Sequence, residues 1–164
     1  MNLSDEKRNV LIESARIARG KIKPLNHFKA SDFDALIFPG GFGVAKNLCT
    51  FAFDGADQKV DPSVELVIRS MLEAKKTIGA MCISPVILAK VIGNDVKLTI
   101  GNDISTASDI KKMGAQHINT THAEVVIDQK YKVVTTPCYM LDADITQIQL
   151  GTENLVKAVL EMCK

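Results

Sequence analysis

The sequence predicts an α/β fold with a mostly parallel sheet, and three observations carry that expectation. Short apolar strand patterns alternate with longer helical ones, the order that builds parallel sheets covered by helices. A strand pattern over Thr77–Met81 runs almost directly into a helix beginning at Pro85. The chain has 164 residues, an ordinary size for one domain, and shows no repeat, linker or low-complexity tract. One domain is therefore expected over residues 1–164.

Residues 6–18 read as a helix. Val10, Leu11, Ile17 and Ala18 form its apolar stripe, Asn9, Glu13 and Arg16 line the opposite ridge, and Gly20 ends it. Residues 34–38 read as a short buried strand stopped by Pro39-Gly40-Gly41, followed by a long loop with one helical stretch near Val44–Phe51. Asp61 as N-cap and Pro62 at the first helical position start the next helix, which buries Val64, Val67, Ile68, Met71 and Leu72.

After the strand at Thr77–Met81 comes a helix over Pro85–Val91, a strand over 96–100 and a helix over 106–113 closed by Gly114. Val125–Ile127 and Lys132–Thr136 are expected to pair as a hairpin. A last helix over 143–162 would turn Ile145, Ile148, Leu155, Val156, Val159 and Leu160 toward the core. The opening is unusual: a helix with an apolar face precedes the first strand, so an opening strand–helix–strand is missing or was never there.

Composition excludes several classes of function. Lys and Arg number 20 against 19 Asp and Glu, giving a net charge of +1, and Trp is absent. Nothing supplies the basic, aromatic stripe of a nucleic-acid binder. No apolar run approaches the ~20 residues that span a bilayer, and the polar start, with Asp5 and Glu6, resembles neither a signal peptide nor a transit peptide. The four cysteines, Cys49, Cys82, Cys138 and Cys163, form no CxxC pair and have no histidine at zinc-ligand spacing. No metal or cofactor is expected, and a reducing, cytoplasmic or mitochondrial compartment is.

The chemistry concentrates at Thr77-Ile78-Gly79-Ala80-Met81-Cys82-Ile83-Ser84-Pro85. Gly79 and Ala80 allow close packing beneath the turn, and Pro85 suits the first helical turn. A residue at such an elbow points out of the sheet above a helix N-terminus, where partial positive charge favours a thiolate, the nucleophilic form of cysteine. The Ile83 N–H would face an oxyanion on a bound substrate, and Gly41, ending the earlier strand, could supply a second donor. The competing reading of Cys82 is a buried structural cysteine.

Longer strings bear on that choice. Arg8-Asn9-Val10-Leu11-Ile12-Glu13-Ser14-Ala15-Arg16-Ile17-Ala18-Arg19-Gly20, Phe38-Pro39-Gly40-Gly41-Phe42-Gly43-Val44-Ala45-Lys46-Asn47-Leu48 and Val133-Val134-Thr135-Thr136-Pro137, with Met81-Cys82-Ile83-Ser84-Pro85, closely resemble the enhancing lycopene biosynthesis protein (ElbB) family. This is the PfpI branch of the class I glutamine amidotransferase-like superfamily, whose eukaryotic relatives are often mitochondrial. The resemblance runs from Arg8 to the end. It implies a flavodoxin-like three-layer sandwich, here N-terminally truncated, and a homodimer. It maps the nucleophile onto Cys82 and the oxyanion glycine onto Gly41. It also implies a cofactor-independent, glyoxalase-type activity that turns reactive dicarbonyls into hydroxy acids.

Two departures stand against that implication. Full-length members open with a strand–helix–strand carrying the acidic residue that sits beside the cysteine, and a glyoxalase needs such a base. True amidotransferases place a histidine after the strand that follows the elbow helix, whereas Leu98-Thr99-Ile100-Gly101-Asn102-Asp103 has none. Glutamine hydrolysis is therefore not expected. The readings left open are a glyoxalase-type enzyme, a thiol redox sensor or metabolite-binding protein, and a vestigial copy. A small aldehyde or an acidic metabolite is the expected ligand.

Remaining candidates each have a plainer explanation. Glu13 and Arg16 either pair on the helix surface or line the pocket and bind a carboxylate or phosphate. Asp103 lies where α/β sites gather, yet also reads as a helix cap. Gly40 belongs to the pocket turn. Cys138 could act as a resolving thiol for Cys82 or simply line the pocket. Cys49 and Cys163 read as structural. His27, His117 and His122 fall in loops or at strand edges. Gly41-Phe42-Gly43-Val44-Ala45-Lys46 lacks the third glycine of a dinucleotide loop and the ending of a P-loop.

Overall fold

The computed structural model describes residues 7–164. In chain order the elements are α1 (Val10–Ile17), β1 (Ala35–Phe38), a π-helical turn (Val44–Leu48), α2 (Phe51–Asp54), α3 (Pro62–Glu73), β2 (Thr77–Met81), α4 (Pro85–Ile92), β3 (Lys97–Leu98), α5 (Ile104–Lys112), β4 (Gln116–His117), β5 (Val126–Asp128), β6 (Val133–Thr136) and α6 (Ile145–Met162). The main sheet has the order β1-β2-β6-β5, and β3 pairs with β4 beside it. β1, β2 and β6 are parallel, and β5 returns antiparallel to β6 as the expected hairpin.

Helices cover both faces, which makes the three-layer, flavodoxin-like sandwich. Ile68 and Met71 of α3 and Ile87 and Leu88 of α4 pack on one side, in a core that includes Ile78 and Ala80 of β2. Leu155, Ala158 and Val159 of α6 pack on the other, against Met81 and Val134. Gly79 lets α6 close on the sheet: a Cβ there would sit 3.1 Å from both Leu155 and Val159. At α3, the Asp61 carboxylate accepts from the N–H groups of Ser63 and Val64, and Pro62 occupies the first turn, as the sequence predicts.

Three expectations need correction. Asn9 does not line a helix ridge; its side chain caps α1 by accepting from the Ile12 N–H, and the helix starts at Val10 rather than residue 6, which lies outside the described residues. The strand expected over 96–100 pairs only at Lys97 and Leu98. Beyond them the Thr99 N–H goes to the Thr135 hydroxyl and the Ile100 N–H to the His117 ring, so side chains replace the ladder. In α6, Ile145 and Leu160 are 72% and 60% exposed and Val156 faces outward too. The buried stripe is Gly151, Leu155, Ala158 and Val159, because one face of a long helix can meet the sheet. One further element, β4, falls where no strand was expected, in the polar Gln116-His117 pair.

Candidate functional site

The register Phe38↔Ala80 and Met81↔Thr136 brings the carboxyl ends of three parallel strands together, where ligands bind in sheets of this kind. Cys82 follows β2 directly and holds φ at +58°, in the left-handed region. For a residue with a Cβ this costs about 1–3 kcal/mol and persists only where surrounding structure enforces it. Here the Cys82 N–H donates to the Thr136 carbonyl (3.1 Å) and the Ser84 N–H to Met81 (3.1 Å). These bonds clamp the turn before α4, whose first residue is Pro85.

Gly40 closes the turn from the neighbouring strand. Its φ is +101°, and a Cβ there would stand 2.7 Å from the Cys82 Cβ and 2.9 Å from the Met81 carbonyl oxygen. Only a glycine lets the β1 loop lie this close to the cysteine.

Above the elbow lies an open cavity of about 700 Å³. Gly41, Phe42 and Ala45 form one wall, Phe51 and Ala52 another, and Ile148 and Thr152 of α6 face them, with Tyr139 and Met140 completing the rim. Met81, Cys82, Ile83 and Cys138 lie at the strand ends. The lining is overwhelmingly apolar. Among the described residues, the N–H groups of Gly41 and Ile83 donate to no other backbone group, and both residues border the cavity. Among the described residues, Tyr139 is the only titratable side chain in the lining beside the two cysteines, and none of them there is a carboxylate or an imidazole.

Of the residues singled out from sequence, Cys82, Gly41, Ile83 and Cys138 thus meet in one cavity, with Gly40 packed beneath. Cys138 is buried, also has positive φ (+45°), and touches the Thr152 hydroxyl at 3.9 Å. Burial pushes its thiol up, and the Thr152 contact draws it partly back.

The others lie elsewhere. Glu13 and Arg16 pair with each other on α1 at 3.1 Å. Asp103 caps α5 by accepting from the Thr106 N–H at 2.7 Å, which with the Thr106 hydroxyl holds its carboxyl below the usual range. His27 is exposed in a short turn, and His122 bonds the Asp142 carbonyl at 2.8 Å. His117 is buried in β4. The Cys49 thiol donates to the Val44 carbonyl (3.3 Å) and Cys163 to Val159 (3.1 Å).

Sequence reasoning missed the lid side of the cavity. Ile148 and Thr152 stand four residues apart on α6, so helical spacing alone could have paired them; Phe42, Tyr139 and Met140 lie in loops that carry no periodic signal.

No family model matches the chain. Two curated mitochondrial proteins are similar to it over 96% of its length: the rat ES1 protein homolog at 49% identity and the human glutamine amidotransferase-like class 1 domain-containing protein 3 at 48%. The chain spans 62% of the length of each. The crystal structure of an isoprenoid biosynthesis protein with an amidotransferase-like domain from Ehrlichia chaffeensis superimposes with a TM-score of 0.89 at 34% identity, covering 98% of this chain and 74% of that one. Fold, sequence and strand-end architecture agree: the chain belongs to the ES1/ElbB family of glutamine amidotransferase-like proteins.

Proposed function

We propose that Cys82 is a covalent nucleophile for small reactive carbonyl compounds, the first half of a glyoxalase-type reaction. The observation that supports this most is the strained Cys82 at the floor of an apolar cavity, with Gly41 and Ile83 at its side. In this reading the thiolate attacks an aldehyde carbon, and the oxygen takes the charge and then a proton to give a hemithioacetal. In this reading the N–H groups of Gly41 and Ile83, two residues that border the cavity, donate to that oxygen. Conversion to a hydroxy acid then requires a proton to move between adjacent carbons, and that step requires a base. The apolar lining favours an uncharged aldehyde over an acidic metabolite.

Incubating the full chain with methylglyoxal tests the proposal. A Cys82 adduct by mass spectrometry, absent in Cys82→Ser, is the expected result; lactate release would extend the reading to turnover. No adduct at Cys82 would overturn it. A second reading, a thiol redox sensor, is favoured by the second cysteine in the lining. Glutamine hydrolysis is not proposed, because none of the three histidines borders the cavity.

The resemblance to mitochondrial proteins supports a mitochondrial or cytoplasmic setting, and no helix among the described residues is long and apolar enough to cross a membrane. We further propose a single PfpI-type domain over 1–164 that works as a homodimer without a cofactor. The exposed Val156 and Leu160 on α6 are compatible with that assembly.

A further inference from the structure

We propose that Cys138 is the resolving thiol for Cys82, so that the cavity closes a Cys82–Cys138 disulfide after Cys82 meets a hydroperoxide. The inference rests on the reading of Cys82 as a reactive nucleophile, and it assigns the second cysteine a task that carbonyl capture does not need.

The placement follows from the sheet. Met81 and Thr136 are register partners on adjacent parallel strands, and the Cys82 N–H bonds the Thr136 carbonyl. Cys82 is thus one residue past its strand and Cys138 two residues past the neighbouring one. Adjacent strands lie about 4.8 Å apart, so the two cysteines leave the sheet from neighbouring strand ends. Both backbones turn into the left-handed region immediately at these residues, which aims both out of the ladder at the same end of the sheet. Both border one cavity, and Cys82 packs against the apolar cluster that contains Cys138, Met81 and Leu155. The titration of Cys138 also feels Cys82: after burial and Thr152, its remaining influences are the charge of the Cys82 thiolate, which raises it, and a hydrogen bond from the Cys82 backbone, which lowers it. Both cysteines are free thiols here.

The chemistry balances with a hydroperoxide as the only oxidant. The Cys82 thiolate attacks the terminal peroxide oxygen, the O–O bond breaks, and with one proton the products are Cys82 sulfenic acid and an alcohol or water. The Cys138 sulfur then attacks the Cys82 sulfur; the S–O bond breaks, water leaves with the Cys138 proton, and the disulfide forms. A dithiol returns both cysteines to thiols by exchange. Cys49 and Cys163 do not border the cavity, and their thiols donate to the Val44 and Val159 carbonyls.

Stepwise addition of hydrogen peroxide to the reduced full chain tests the assignment, with free thiols alkylated before non-reducing peptide mapping. The expected result is a peptide pair joined through Cys82 and Cys138, reversed by dithiothreitol. In Cys138→Ser and in Cys138→Ala the linked pair is lost and dimedone traps a long-lived Cys82 sulfenic acid; thermal melts of both variants check the fold. In Cys82→Ser, Cys138 stays reduced at the same dose. The assignment is overturned if dimedone captures as much Cys82 sulfenic acid in the unmodified chain as in Cys138→Ser, or if Cys82 links to Cys49 or Cys163 instead. Either outcome leaves carbonyl capture by Cys82 standing. A Cys82 inert to both peroxide and methylglyoxal removes both proposals together.

Discussion

Two helices of eight residues each make the most instructive comparison in this molecule. α4 buries seven of its residues, Pro85, Val86, Ile87, Leu88, Ala89, Val91 and Ile92, beneath the elbow. α1 carries Val10, Leu11, Ile12 and Ile17 yet buries none, and Ile17 is 91% exposed. The apolar content of the two segments announces a helix in each case, but burial depends on a partner surface. α4 lies on the central strand β2, whereas among the described residues no element covers α1. Apolar area stabilises by roughly 25 cal/mol per Å² only when it leaves water, so α1 is held mainly by its Asn9 cap and local pairs. The site residues fall on the buried side of this contrast, and the Glu13–Arg16 pair falls on the other.

The largest expected effect comes from the core helix. Ile87→Ala should cost about 2–5 kcal/mol by removing fully buried methyl groups and leaving a cavity. Ile17→Ala should stay within about 0.5 kcal/mol, as surface changes do. Urea unfolding of both variants checks the pair. A large cost at Ile17 would show that α1 is covered in solution, and the contrast between the helices would dissolve.

Gly40→Ala comes next. The added methyl meets the Cys82 Cβ and the Met81 carbonyl at 2.7 and 2.9 Å, at a φ that side chains rarely adopt. We expect a loss of about 1–3 kcal/mol together with slower alkylation of Cys82, whereas Gly41→Ala meets no neighbour and carries only the backbone strain of its own positive φ, +90°. Equal alkylation rates in Gly40→Ala and the unmodified chain would mean that the elbow does not depend on the neighbouring loop.

This contrast also explains what could be read without coordinates. The strand–elbow–helix unit at Thr77–Val91 was legible because its period changes abruptly, with Pro85 marking the helix start, and because a buried strand has few alternatives. Asp61-Pro62 was legible for the same local reason. The wrong face of α6 was not: Ile145, Val156 and Leu160 share a helical spacing with one another, and apolar character alone does not tell a sheet-facing stripe from an exposed one. β3 was overextended because Val96, Leu98 and Ile100 are all buried, although side chains of Thr135 and His117 take over the hydrogen bonds of Thr99 and Ile100. In the site, the strand-end residues were readable from turn chemistry. The α6 and loop walls were not, since their approach depends on packing at Gly79 and on the course of the loops.

A smaller effect sharpens the point at a helix start in the core. Asp61→Ala removes the acceptor of two N–H groups at α3 and should cost about 1 kcal/mol, read as a lower denaturation midpoint. A cost near zero would mean that Pro62 and the packing of Val64 suffice to start the helix.

His117 gives the core a pH signature. Burial, and then the nearby Lys111, hold its pKa below 6.5, and its Nε2 accepts from the Ile100 N–H, which a proton there would forbid. The unfolded chain takes up that proton first, so this contribution is complete above about 6.5 and is lost as pH falls through the lower folded value. Melting curves between pH 8 and 5 should show the decline, and His117→Gln should flatten it. An unchanged slope in the variant would move the cause to another group.

The smallest effect belongs to the exposed pair on α1. Arg16 and Glu13 approach to 3.1 Å, but their side chains are 73% and 34% exposed. Water and salt screen such a pair, and ordering two long side chains offsets most of what remains. Glu13→Gln should therefore change stability by less than about 0.5 kcal/mol, with the difference vanishing in high salt. If Glu13 and Arg16 instead served a bound anion, the variant would bind inorganic phosphate differently from the unmodified chain while its stability barely moved. Titration calorimetry with phosphate separates these outcomes: equal heats for both chains keep the pair as a local brace on an uncovered helix, and a difference would give α1 a ligand-binding role that the cavity geometry does not.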